Sequence, residues 1–161
     1  NSSIIFRDLK PQNVGFSVQG TVKIFDFGLA KKLAPEHHLG EGLFLATQMA
    51  GTRRYMSPEV FKCNRYGLSA DVYSFAILLW ELMSLYQVFS DLTCKEHAQR
   101  VIGQGKRPAI KKKWPKECIE LMKSAWTEKP QCRPTFEEIK STLEDLMRSR
   151  GNGDITFSIE E

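Results

Sequence analysis

The chain has 161 residues, of which 42% are hydrophobic and 26% charged, with 23 basic against 19 acidic side chains. A chain of this length buries about 70% of its unfolded surface in one core, and its composition reads as globular, neither disordered nor membrane-embedded. The net charge of +4 is too mild to imply a nucleic-acid partner, and the longest strongly apolar stretch, residues 75–83, contains Glu81 and is too short to cross a bilayer.

The runs VGFS (14–17) and VKIF (22–25) flank Val18-Gln19-Gly20-Thr21 and predict a β-hairpin, with Gly20 supplying the tight connection. From Gly28 to Glu59 there is little periodicity, so the segment reads as a long loop of the functional or mobile kind. Residues 69–84 predict a helix with Ser69 as N-cap. It is apolar on almost every face and therefore buried. Residues 94–104 and 116–126 carry weaker amphipathic patterns.

Thr135 and Glu138 form a capping box ahead of a helix over 136–148, whose apolar stripe is Ile139, Leu143, Leu146 and Met147. Residues 1–148 read as one domain and 149–161 as a flexible tail. The run Lys111-Lys112-Lys113 reads as a solvated loop, with a docking patch as the alternative. Cysteines 63, 94, 118 and 132 include no C-x-x-C pair and no zinc-ligand spacing. Reduced thiols in a cytoplasmic compartment fit them best. No signal peptide opens the chain, which starts at Asn1 directly before its richest motif, as a fragment would.

That motif places Asp8, Lys10 and Asn13 just before the hairpin and Asp26 just after it. Asp and Asn beside Pro11 could be plain turn residues. Alternatively, one strand out and one strand back brings Asp26 to the end where Asn13 lies, so a carboxylate and an amide oxygen could face one hard divalent ion. Asp8 would then be free to take a proton from a hydroxyl. Lys10 could neutralise charge on a transferred phosphoryl group.

The stretches Phe6-Arg7-Asp8-Leu9-Lys10-Pro11-Gln12-Asn13, Asp26-Phe27-Gly28 and Ser57-Pro58-Glu59 resemble the catalytic loop, metal motif and activation-segment end of the eukaryotic protein kinases. The resemblance covers residues 1 to about 148 and corresponds to that family's C-terminal lobe. It implies a mainly α fold with a small β-hairpin, lacking the N-terminal lobe. It also implies a Ser/Thr kinase, with a flavour of the tyrosine-kinase-like branch in DVYSFAILLWEL and CRPTFEEI. ATP and Mg2+ are the implied cofactors and proteins the implied substrates, with no membrane or nucleic-acid partner.

Residue by residue, the resemblance makes Asp8 the group that orients and deprotonates the substrate hydroxyl, and Lys10 a γ-phosphate contact. Asn13 and Asp26 become magnesium ligands. Thr52 matches the threonine that hydrogen-bonds the catalytic Asp and Lys, and Arg7 the arginine that reads an activation-loop phosphate, with Thr47 the better candidate for carrying it. Asp71 matches a brace on the catalytic-loop backbone, with a helix-dipole charge as the plain alternative. Glu59 and Arg133 match a buried ion pair. Phe6 stands where histidine is usual and is expected to stack on Phe27; Ser57 and Tyr73 replace the commoner alanine and tryptophan. The Asp26–Glu59 segment is longer than is usual in the family, and its surplus holds His37 and His38, read as solvated.

No glycine-rich loop, strand lysine or helix glutamate occurs in the chain. The 161 residues alone are therefore expected to be inactive and poorly soluble, with part of helix 69–84 uncovered. A pseudokinase or truncated lobe acting as a binding scaffold is the competing reading.

Overall fold

A computed structural model describes residues 3–33 and 49–149. It contains two small antiparallel sheets and a helical base. Strands β2 (Val14–Phe16) and β3 (Val22–Ile24) pair with Val14 opposite Ile24 and Phe16 opposite Val22, forming the expected hairpin. Gly20 turns the chain at φ +77°. The second sheet is one the sequence pattern does not announce. Strand β1 (Ser3–Ile5) pairs with β4 (Lys31–Leu33), Ile5 lying opposite Lys31. The segment read as an unbroken loop thus begins with a 3-10 turn, Phe27–Leu29, followed by β4. It ends with a second 3-10 turn, Arg53–Tyr55, and a short helix α1 (Pro58–Phe61).

Helix α2 (Ser69–Ser84) is the axis of the base. It contains no Gly or Pro, and Val72, Tyr73, Ala76 and Ile77 are buried, so tertiary packing carries it. Its N-terminus corrects an expectation. Leu68 occupies the N-cap position in a helical conformation, and Ser69 is the first helical residue without a capping bond. The Ser69 carbonyl instead accepts a hydrogen bond from Arg133 Nη1 at 2.9 Å.

Helix α3 (Cys94–Glu96) opens with a capping box from Thr93 to Glu96 and continues as a π-helical turn, His97–Gly103. Helices α4 (Lys116–Ala125) and α5 (Phe136–Ser149) close the base. The Thr135–Glu138 capping box is formed in both directions, at 2.7 and 3.2 Å. On α5, Ile139 is buried and Leu143 and Leu146 pack on the core, but Met147 is 61% exposed. The stripe outlasts the surface it packs against, so Met147 is no core residue.

The main core joins α2, the π-helical turn, α4 and α5, with Trp114 and Trp126 at its edges. A smaller cluster of Ile5, Leu33, Met56, Val60, Tyr66 and Ala70 fastens the β1–β4 sheet to the start of α2. Leu82 is exposed, while Phe75, Leu79 and Met83 are half-buried against the core, so this face of α2 is covered only in part. Among the described residues, no helix is long and apolar enough to cross a membrane.

Candidate active site

The short connection from β1 to β2 is shaped by two unusual backbone positions and one carboxylate. Arg7 sits at φ +70°, a conformation that costs a non-glycine residue about 1 kcal/mol or more and needs outside support. Asp71, in the first turn of α2, provides it. Its two carboxylate oxygens accept the backbone N–H groups of Phe6 at 2.6 Å and Arg7 at 2.8 Å. Burial pushes the Asp71 carboxyl above its ordinary value, against the pull of those two amides and of the Arg7 charge. Its side chain therefore ties the β1–β2 connection to the start of α2.

Next along the chain, Pro11 begins a 3-10 turn, Pro11–Asn13, that buries Asn13. The Asn13 carbonyl accepts the Phe25 N–H at 2.8 Å, fixing both ends of the hairpin together. Asp26 follows in the left-handed conformation, which Asp tolerates better than most residues, and accepts the Gly28 N–H at 3.2 Å. It is exposed. Phe6 and Phe27 meet edge to face at 5.2 Å between ring centres, holding the loop against the turn that follows Asp26.

Asp8 is the centre of the arrangement and is 7% exposed. Oδ1 accepts from the Thr52 backbone N–H at 2.8 Å and the Thr52 hydroxyl at 2.7 Å. Oδ2 accepts from Lys10 Nζ at 2.7 Å and, more weakly, from Asn13 Nδ2 at 3.2 Å. Asn13 Nδ2 also donates to the Asp8 carbonyl at 2.9 Å, and Lys10 Nζ to the Thr52 hydroxyl at 2.9 Å. Burial would raise the Asp8 carboxyl, but the bonds from Lys10 and Thr52 outweigh it and hold it below its ordinary value. It is therefore ionised at neutral pH.

Thr52 reaches Asp8 only because Gly51 precedes it. Gly51 lies at φ +109°, and a Cβ there would come within 2.1 Å of the Arg7 carbonyl oxygen. Sequence reasoning missed Gly51, although its place directly before Thr52 was visible.

The other expected residues fall into separate places. Arg7 donates through Nε to the Leu29 carbonyl at 2.6 Å and through Nη1 to the buried Tyr66 hydroxyl at 3.4 Å. Glu59 and Arg133 form a two-pronged pair at 2.6 and 2.9 Å between α1 and the segment before α5, with no bond to Asp8. Tyr73 is fully buried, and the guanidinium groups of Arg107 and Arg133 lie over its ring at 5.2 and 5.3 Å. Thr47, His37 and His38 lie outside the described residues. Lys111, Lys112 and Lys113 are exposed.

Sequence comparison decides the family. The protein kinase domain profile matches residues 1–143. This chain belongs to the protein kinase family.

Among relatives, the kinase chain is 36% identical over 146 residues to a probable LIM domain-containing serine/threonine-protein kinase of Dictyostelium discoideum, covering 91% of this chain and 14% of that protein. It is 36% identical over 151 residues to a serine/threonine-protein kinase of Arabidopsis thaliana, covering 94% and 25%. With mitogen-activated protein kinase kinase kinase 7 of Mus musculus it shares 34% over 148 residues, covering 91% and 24%. The chain thus spans a quarter or less of these relatives' lengths; the first two are named serine/threonine-protein kinases and the third a mitogen-activated protein kinase kinase kinase.

Proposed function

We propose that this kinase chain carries the catalytic loop of a protein serine/threonine kinase that transfers the γ-phosphoryl group of ATP to protein hydroxyls in the cytoplasm. The observation that carries the reading is the Asp8–Lys10–Thr52 cluster. An ionised carboxylate accepts about four hydrogen bonds, and all four places on Asp8 are taken. A substrate hydroxyl can be received only if one donor leaves. Lys10 is the one suited to leave, because an ammonium group is drawn to a phosphoryl group and its stem is flexible.

Arrival of the phosphoryl group therefore turns Lys10 outward and opens Oδ2, while Thr52 keeps Oδ1 aligned. Asp8 then accepts the hydroxyl proton as the oxygen attacks. Asp26 and Asn13 offer one carboxylate and one amide oxygen, a hard donor set that fits Mg2+ with its other positions left to water and phosphates. Among the described residues no three His, Cys, Asp or Glu side chains cluster to make a closed protein cage. When bound, the ion would neutralise charge on the phosphates. Binding of adenine and of the α- and β-phosphates would need a glycine-rich loop, a strand lysine and a helix glutamate, which these 161 residues do not supply.

The test is Asp8→Asn in the full-length protein, assayed for phosphate transfer to a serine peptide and for thermal unfolding. Phosphotransfer is expected to fall by about 10²–10⁴-fold with unfolding little changed. Unchanged transfer would show that the base is misassigned. A full-length wild type that transfers no phosphate from ATP and Mg2+ would leave the scaffold reading in its place.

A further inference from the structure

The chemistry of Asp8 leaves one feature of the sequence unused, the run Lys111-Lys112-Lys113. A loose solvated loop would hold these charges wherever solvent took them. The structure instead fixes the backbone that carries them. The Trp114 N–H bonds back to the Lys111 carbonyl at 3.1 Å, closing a tight turn with Lys112 and Lys113 at its tip. Trp114 is 8% exposed and meets Trp80 edge to face at 6.4 Å. On the other side of the turn, Trp80 Nε1 donates to the Ala109 carbonyl at 2.8 Å. Both ends of the basic turn are therefore pinned to α2.

A second observation lies beside it. Lys111 Nζ sits 5.7 Å from the ring centre of Tyr86, which is 69% exposed. Leu85, just before it, is 68% exposed and takes the left-handed position at φ +59° that ends α2, where glycine would fit without strain. Leucine at such a place gains nothing from burial and costs backbone strain. Departures of this sort from local preference gather at functional sites. The result is a strip in which a pinned turn carrying three exposed lysines meets, through Lys111, the exposed Tyr86 with the exposed Leu85 next to it in the chain.

We propose that this strip is a docking surface for an extended acidic segment of a partner protein, one that carries an aromatic or aliphatic side chain among its carboxylates. The lysines supply charge complementarity, and Leu85 with Tyr86 supplies the apolar contact. The pinned turn lowers the ordering cost of binding. An anionic membrane fits less well. Glu117 and Glu120 are exposed on α4 close after the turn, Glu120 being paired with Lys116 at 3.6 Å. Carboxylates this near to the lysines in sequence argue against a broad, uniformly basic face, and so favour a single narrow chain over an anionic sheet.

The test uses the full-length protein and a fluorescein-labelled twelve-residue peptide of glutamates around a central Phe-Leu pair, with a lysine-for-glutamate peptide as control. Saturable binding of the acidic peptide alone is expected. It should weaken by about tenfold or more in the Lys111→Glu/Lys112→Glu/Lys113→Glu variant and on raising salt from about 0.05 to 0.3 M. Tyr86→Ala should weaken it several-fold, while transfer to a short serine peptide is unchanged by either variant. If the triple variant misfolds, Lys112→Glu at the turn tip serves instead, with about a threefold loss. Binding that survives charge reversal overturns the proposal, as does lysine-dependent cosedimentation with phosphatidylserine vesicles when the peptide fails to bind.

Discussion

Two carboxylate–cation contacts of nearly equal length behave as different materials. Asp8 and Lys10 meet at 2.7 Å, and Glu59 and Arg133 at 2.6 Å. In the second pair the Arg133 side chain is wholly buried, and its five N–H groups all have acceptors: two oxygens of Glu59 and the carbonyls of Ser69, Thr127 and Glu128. Nothing there can exchange partners. In the first pair Lys10 is 21% exposed and commits two of its three N–H groups, to Asp8 and Thr52. A saturated pair fastens two segments together. One whose cation keeps a spare N–H at the edge of solvent can hand a bond to an incoming group, as the proposed transfer would require.

The largest effect that would sharpen this contrast is on stability. Arg133→Ala strands the Glu59 carboxylate in the interior and is expected to lower unfolding free energy by about 3–5 kcal/mol in a urea titration. Arg133→Lys should recover little of it, since an ammonium cannot reproduce the fork. A loss under about 1 kcal/mol would break the idea that saturation is what matters. At the other pair the main loss should appear in rate. Thr52→Val removes the hydroxyl that spans Asp8 and Lys10, and phosphotransfer by the full-length protein is expected to drop by about 10²-fold, the scale of a misplaced reacting group. Stability should change by only about 1 kcal/mol. The same variant should raise the Asp8 pKa, followed by NMR, because one of the bonds holding it down is gone.

The smallest expected effect concerns a third charged neighbourhood. His97 is buried between the rings of Phe89 and Phe61, and neither ring nitrogen has a hydrogen-bond partner among the described residues. Burial, with Arg54 and Arg107 adding to it, holds its pKa below the ordinary 6.5. A lowered folded value means stability is complete above 6.5 and declines as pH falls from there toward the folded value. The slope is at most about 1.4 kcal/mol per pH unit. His97→Leu should flatten the stability profile between pH 7 and 5. A slope that persists in the variant would assign it elsewhere.

Much of the site was legible because its residues lie in contiguous motifs. Asp8, Lys10 and Asn13 share one turn, Asp26 follows one hairpin later, and Asp71, Glu59 and Arg133 could be named through the family resemblance. What resisted reading was short or non-local. Strands β1 and β4 have three residues each and show no alternation, so their pairing is decided by Ile5 and Leu33 entering a common cluster. Ser69 looked like a cap because Ser so often is one. The chain instead enters α2 already helical at Leu68, and the serine carbonyl serves Arg133. Periodicity carried the α5 stripe through to Met147, whereas contact with the core stops at Leu146.

Two glycines with positive φ show how unevenly this fold admits mutation. A Cβ added to Gly20, at the hairpin tip, would meet nothing within 4 Å, so Asn or Asp there is tolerable for drift. At Gly51 every other amino acid collides with the Arg7 carbonyl. Position 51 is therefore held by the backbone path itself, whatever the chain is asked to do, while position 20 is left open to change.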